Sequence, residues 1–326
     1  MNRKKSYSSI VDCIGSTPLV KLNHVAGDIP GEVFAKLEFL NPMGSSKDRI
    51  ARHMIEKAEK EGKIKKGDMI IENSSGNTAL GLALIAIQKG YRLKVVVRDR
   101  ISREKLDQLK ALGVEIHMVD STLPPESPDS YNNITPRLAR ETPNCFFPDQ
   151  HNNRDNNEAH YLGTGPEIWE QMNGRIDYFV AGIGTGGTIG GTARFLKEKD
   201  KNIRVIAVDP VGSVFYDNFH QRKNAKSGPY LLEGLGDEFM IRCADFSVID
   251  EMFQVTDKEA FLAARELARR EGILAGGSSG AALWGVRQLA KRLEHPARFV
   301  TVFPDGASRY LSTIYNDEWL KDKGII

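Results

Sequence analysis

Three cysteines in 326 residues are too few, and too odd in number, for a disulfide framework. Cys13, Cys145 and Cys243 lie far apart with no CxxC spacing, which also argues against a zinc site and fits a reducing, cytosolic compartment. An excess of either charge is missing too. Lys+Arg 45 against Asp+Glu 43 leave +2 with no clustered basic face, so nucleic acid and membrane surfaces have no electrostatic hold on the chain. The longest nearly unbroken apolar run, ALGLALIAI at 79–87, is too short to span a bilayer. MNRKKSYSSIVD at the N-terminus carries charge without an apolar segment and does not read as a secretory signal. No repeat or low-complexity tract occurs, and the histidines show no metal spacing. What is present, 40% hydrophobic and 27% charged residues, can bury a full core, and the length suggests about two domains.

Strand-like and helix-like stretches alternate along the chain. DMIIEN (68–73), RLKVVVR (92–98) and VEIHMV (114–119) read as strands, separated by the helices ALGLALIAIQKG and SREKLDQLKALG, the second ended by Gly113. The first of these helices is apolar all round and belongs in a buried layer. DSTLPPESPDSYNN (120–133) reads as a mobile loop. Beyond it the pattern gives a helix over 157–172, strand DYFVAGI, helix TIGGTARFLKEK and strand RVIAVDP. Residues 211–250 carry no clear pattern. The chain then gives helices KEAFLAARELARREG and AALWGVRQLAKRLE and strand RFVTVFP. This alternation predicts an α/β fold with parallel sheets.

Three Gly/Ser-rich turns sit between a strand and a helix, where open α/β sheets bind anionic ligands. GIGTGGT (182–188) satisfies G-x-G-x-x-G, and Asp209 follows at the end of the next strand, which allows a dinucleotide site with Asp209 on the ribose. Thr185 and Thr188 beside the glycines suit a lone phosphate monoester better. SSGNT (74–78) is a dense set of neutral donors suited to a carboxylate, or a helix cap. GGSSG (276–280) alone is a tight turn with a serine. Lys47, in NPMGSSKDRIARHMIEKAEKEGK (41–63), stands at the start of an amphipathic helix with Ile50, Met54, Ile55 and Ala58 on its apolar face. The positive end of the helix dipole disfavours a cation there. Either the amine reaches water, or its pKa is lowered so that it acts as a nucleophile.

NPMGSSKDR, ENSSGNTALGLAL, GIGTGGTIGG and GGSSGAAL, in this order and spacing, resemble the pyridoxal-phosphate enzymes of the tryptophan-synthase-β fold, and within them the cystathionine β-synthase and cysteine synthase family. The likeness runs from IGSTPLVKLN (14–23) to the end. It implies fold type II: two open, mostly parallel sheets flanked by helices. A small mobile domain at 43–150 would bind the substrate carboxylate, and a large domain at 1–42 and 151–326 would bind the cofactor phosphate. Lys47 would carry pyridoxal 5′-phosphate covalently and act in catalysis. Asn77 would meet the ring oxygen, Ser278 the ring nitrogen, and Gly184, Thr185, Gly186, Gly187 and Thr188 the phosphate. Ser74, Ser75, Gly76, Thr78 and Gln150 would bind the substrate carboxylate, with Gly234 and Asp237 at the second-substrate entrance. The implied reaction is β-replacement on serine or an activated serine through an aminoacrylate, forming a thioether or thiol amino acid. An amine nucleophile, as in diaminopropionate-type synthases, and a dinucleotide-binding oxidoreductase remain as alternatives. A homodimer in the cytoplasm is expected, acting on small-molecule amino acids, without metal, nucleic acid or membrane. Neither a haem-binding extension nor paired regulatory domains are expected, and haem is not expected. Met43, Asn73, Ala79, Leu80, His151 and Asp237 depart from the usual pattern of these enzymes.

Overall fold

Apolar runs without alternation are covered on both faces, and here they assemble into two separate sheets. The computed structural model describes residues 6–124, 126–222 and 225–326. Its strands are β1 (Leu19–Lys21), β2 (Gly31–Leu37), β3 (Met69–Asn73), β4 (Arg92–Arg98), β5 (Glu115–Val119), β6 (Cys145–Phe146), β7 (Tyr178–Gly182), β8 (Arg204–Pro210), β9 (Glu251–Val255) and β10 (Ala297–Phe303). One sheet has the order β1-β2-β10-β7-β8-β9 and the other β5-β4-β3-β6. Among the described residues, β1–β2 is the one antiparallel pairing between these strands.

The helices are α1 (Lys47–Lys60), α2 (Asn77–Lys89), α3 (Arg103–Ala111), α4 (Tyr131–Glu141), α5 (Asp155–Leu162), α6 (Thr164–Gln171), α7 (Gly187–Lys199), α8 (Phe215–Phe219), α9 (Asp257–Glu266), α10 (Gly277–Ala290) and α11 (Asp317–Asp322). Helix α2 is buried from Thr78 to Ala86, as its uniform apolarity requires.

Three stretches differ from the sequence reading. The 120–133 stretch is not all loop, because α4 starts at Tyr131 and tolerates Pro136 inside it. The helix expected over 157–172 is two helices broken at Gly163, where a Cβ would lie 3.0 Å from the Ala159 carbonyl oxygen and 3.1 Å from the Arg49 guanidinium. The patternless region holds α8, and the strand β9 follows it.

A buried ionic cluster ties α1 to the larger sheet. Arg49 on α1 donates to both Glu38 carboxylate oxygens at 2.7 and 2.8 Å and to both Glu167 oxygens at 2.7 and 2.8 Å. Lys36 on β2 donates to Glu167 at 2.7 Å. Despite burial, the Arg49 guanidinium holds Glu38 down to a pKa of about 2. Two cations between two anions repay much of the desolvation that a lone buried charge would suffer. The turn before Lys47 is therefore anchored firmly.

Candidate active site

A cavity of about 360 Å³ lies between the two sheets, at the C-terminal ends of their parallel strands. Lys47, the first residue of α1, lines it. The Lys47 amide donates to Ser45 Oγ at 3.2 Å, and Asp48 accepts from the Met43 amide at 2.7 Å, so both polar flanks serve the turn itself. Burial pushes the Lys47 amine below the ordinary lysine range, opposed by the charges of Asp305 and Glu38. A lysine so placed gives up its proton more readily than one in water.

The SSGNT turn joins β3 to α2 and forms one wall. Ser74 Oγ accepts from the amides of Gly76 and Ala79, each at 3.3 Å, and Ser75 Oγ accepts from the Arg98 amide at 3.4 Å. As an acceptor, the Ser74 oxygen keeps its hydrogen to donate into the cavity, whereas Ser75 also hydrogen-bonds the Tyr131 side chain. Thr78 donates to Gln150 Oε1 at 2.5 Å, fixing the amide so that Nε2 is the end with protons to offer. A Cβ at Gly76 would meet nothing within 4 Å, so a side chain there would occupy the cavity itself. These donors match an anion.

The GIGTGGT turn leads from β7 into α7, with Gly186 as its cap at φ +82°. It borders a smaller pocket that also reaches Lys47. The first amides of α7 have no partner within the helix. Thr185 Oγ1 accepts from Asn156 Nδ2 at 3.0 Å, again leaving the hydroxyl hydrogen free. Thr188 Oγ1 lies 3.2 Å from Nε2 of His160, whose pKa burial lowers to about 3, so that contact is between neutral groups. Amides at a helix start with two hydroxyls are a donor set for phosphate. Ser278, 5% exposed, lines the main cavity from the first turn of α10.

Asn77 also lines the cavity, but its amide is engaged: Nδ2 donates to Asp305 at 2.8 Å and Arg309 donates to Oδ1. Asp305 accepts from the Tyr310 hydroxyl at 2.7 Å as well, and burial raises its pKa. Asp305, Arg309 and Tyr310 were missed in the sequence. The available signal was the PDG turn right after β10, at a strand's C-terminal end. His160, under the α7 turn, had no signal of its own. Gly234 and Asp237 line the cavity from the loop before β9. Asp237 lies 4.0 Å from His151 Nε2; burial pushes the carboxyl up and the imidazole down, each opposed by the other's charge.

Asp209 corrects the dinucleotide reading. It is fully buried, accepts from the Tyr216 amide at 3.0 Å, and lines neither pocket. Its pKa is raised to about 7 by burial, which suits a structural cap and not a ribose ligand.

The profile of the pyridoxal-phosphate dependent enzymes matches residues 10–305. The chain belongs to that family. As a pyridoxal-phosphate dependent enzyme it takes pyridoxal phosphate as cofactor, and the donor set fits that group: an amine of lowered pKa, a helix start with hydroxyls, and a second anion site facing it. The chain is 43% identical over 324 residues to the cystathionine beta-synthase of Apis mellifera, covering 99% of this chain and 64% of that protein. With the enzyme of the same name from Dictyostelium discoideum it is 42% identical over 324 residues, with 99% and 65% covered. With that from Saccharomyces cerevisiae it is 39% identical over 333 residues, with 98% and 65% covered. It thus spans just under two thirds of these relatives. The solved structure of a hydrogen sulfide-producing enzyme from Fusobacterium nucleatum superposes with TM-score 0.87 at 36% identity, over 94% of this chain and 99% of that one. The shared two-sheet architecture is fold type II. No helix among the described residues is long and apolar enough to cross a membrane.

Proposed function

We propose that this enzyme catalyses β-replacement on serine or an activated serine, forming a thioether or thiol amino acid. The observation that carries this reading is the cavity where a lysine of lowered pKa faces the neutral donors of SSGNT. The names of the curated relatives and of the Fusobacterium enzyme favour a sulfur substrate over an amine.

Bound pyridoxal phosphate supplies an electron sink for the donor's Cα. The protein does the rest. Ser74, Ser75, Thr78 and Gln150 hold the donor carboxylate, with Gly76 leaving the room. The Lys47 amine takes the Cα proton and returns it after the β-substituent has left and the nucleophile has added. Ser278 offers the ring nitrogen a neutral partner, and a neutral partner favours elimination and replacement over transamination. Asn77, held by Asp305 and Arg309, directs its amide at the ring oxygen. Gly184, Thr185, Gly186, Gly187 and Thr188 hold the phosphate. Asp237, beside His151, places a carboxyl where the acceptor arrives and attracts an ammonium while repelling hydrosulfide. Residues 43–150 move as a small domain over the rest, and the enzyme works as a cytoplasmic homodimer.

Lys47→Ala should fold, yet borohydride should fix no cofactor to it, whereas the parent should give a stable adduct on the peptide holding Lys47. Serine or its esters should shift the visible band of the parent holoenzyme. An adduct on another lysine in the variant sinks the assignment.

A further inference from the structure

Arg309 stands behind Asn77, in the short turn that follows β10, and is 6% exposed. Its guanidinium donates to Asn77 Oδ1 and, at 2.6 Å, to the Met43 carbonyl oxygen, both of them neutral acceptors. Its Nε is buried without a hydrogen-bond partner, and among the described residues it makes no ion pair. The carboxyls whose ionisation it eases are Asp48, in the first turn of α1, and Asp305. Burial works against ionisation at both, and Asp48 is raised to about 7. Asp305 already accepts from Asn77 and from the Tyr310 hydroxyl. A guanidinium keeps its proton throughout the ordinary pH range, and a buried one with no anion in contact is costly. The group is complete only when a negative charge comes close.

We infer that this negative charge is the ring oxygen of the cofactor, and that Arg309 is a positioning residue that acts on it through the Asn77 amide. The inference rests on the assignment of Asn77 to that oxygen, made above, and adds the charge behind the amide. Oδ1 of Asn77 accepts from Arg309, and one Nδ2 proton is spent on Asp305. The other Nδ2 proton is left for the cavity that Asn77 lines. A cation on the oxygen end of an amide draws electron density from the nitrogen end, so the remaining N–H becomes a stronger donor. A stronger donor with a positive charge behind it favours the ring oxygen in its ionised form over its protonated form. The same guanidinium reaches back to the Met43 carbonyl, and the Met43 amide donates to Asp48, the neighbour of Lys47. One side chain thus braces both the turn that carries the amine and the donor to the ring oxygen. A neutral residue at position 309 could hydrogen-bond Asn77 but would not supply the charge.

The test reads the absorption spectrum of the holoenzyme. Pyridoxal phosphate held on a lysine absorbs in the visible when its ring oxygen is ionised and in the near ultraviolet when that oxygen is protonated. At neutral pH, Arg309→Gln should lower the ratio of visible to near-ultraviolet absorbance about tenfold, one unit in the ionisation of the ring oxygen. Arg309→Lys, which keeps the charge, should stay within about threefold of the parent. Borohydride should still fix the cofactor to the Lys47 peptide in both variants, so the change lies in the state of the cofactor and not in its loss. A residue that merely held Asn77 in place would give less bound cofactor at the parent's ratio. Asn77→Ala should lower the ratio as well. If it does so while a folded Arg309→Gln keeps the parent's ratio, the inference falls and the Asn77 assignment stands. If both variants keep the parent's ratio, both fall. Should Arg309→Gln not fold, Arg309→Lys decides, because a folded lysine variant that absorbs mainly in the near ultraviolet overturns the role of the charge.

Discussion

Glu72 is fully buried on β3, behind the SSGNT turn. Burial and the charge of Asp149 push its pKa up to about 8, so at neutral pH it keeps its proton. Its oxygens accept from the amides of Asn73 and Gln150 at 3.2 and 3.4 Å. A neutral carboxyl there spares the neighbouring anion site from repulsion. The folded pKa lies above the unfolded value, so the stabilising contribution is complete below about 4.5 and is lost as pH rises through about 8. Glu72→Gln should remove that loss. Thermal unfolding from mildly acidic to alkaline pH should show the variant gaining on the parent by roughly 2–5 kcal/mol across the window. A constant difference would mean that Glu72 is charged at neutral pH. Glu38 behaves oppositely: its lowered pKa makes its contribution present above about 4.5 and lost as pH falls through about 2. Lys47 was legible in the sequence because a lysine at a helix start is locally anomalous. Glu72 and Asp305 were not, since their protonation depends on neighbours far along the chain.

Helix α7 shows what an element contributes that its residues do not. Its amides converge only because Gly186 adopts a left-handed conformation that turns the chain into the helix. Thr185→Val combined with Thr188→Val should weaken cofactor retention by about tenfold or more, two hydroxyl hydrogen bonds to a charged phosphate being lost. Visible absorbance kept after exhaustive dialysis measures this, and the donor KM should change much less. Thr185→Ser should retain most of the affinity. The strand–turn–helix units around SSGNT and GIGTGGT were readable because their apolar periodicity is strong, whereas GGSSG follows a helix and not a strand. Helix α4 was not, because Pro136 and the Asn-rich stretch before it favour turns, and the packing of Ile134 and Leu138 under β3 overrides that preference. The break at Gly163 was equally hidden: the space that a side chain there would need is taken partly by Arg49, more than a hundred residues earlier in the chain.

At the scale of the molecule, the two sheets face each other across the cavity, and an ion pair bridges its mouth. Lys105 on α3 pairs with Glu233, from the loop carrying Gly234 and Asp237. Glu233 is half-exposed, so the pair is worth little in absolute terms. Lys105→Ala should raise the donor KM by about two- to fivefold with a smaller change in kcat, consistent with a contact that favours the closed cleft. Glu233→Gln should match it, and the double variant should be no worse than either. Additive losses would separate the two residues into independent roles. The parallel α/β architecture was legible from the order of elements, whereas the pairing of Lys105 with Glu233 depends on the angle between sheets, which no local pattern encodes.

The glycines of GIGTGGT answer to the protein around them. A Cβ at Gly184 would lie 2.2 Å from the Gly234 carbonyl oxygen, one at Gly186 2.3 Å from that of Cys243, and one at Gly187 1.7 Å from Asn156 Oδ1. Each is demanded by a neighbour belonging to the polypeptide, so the spacing of the glycines records which chain segments cross there. Two proteins that hold entirely different phosphates can therefore share the spacing, and two that hold the same one can differ in it. The identity of the guest is written in the residues between the glycines.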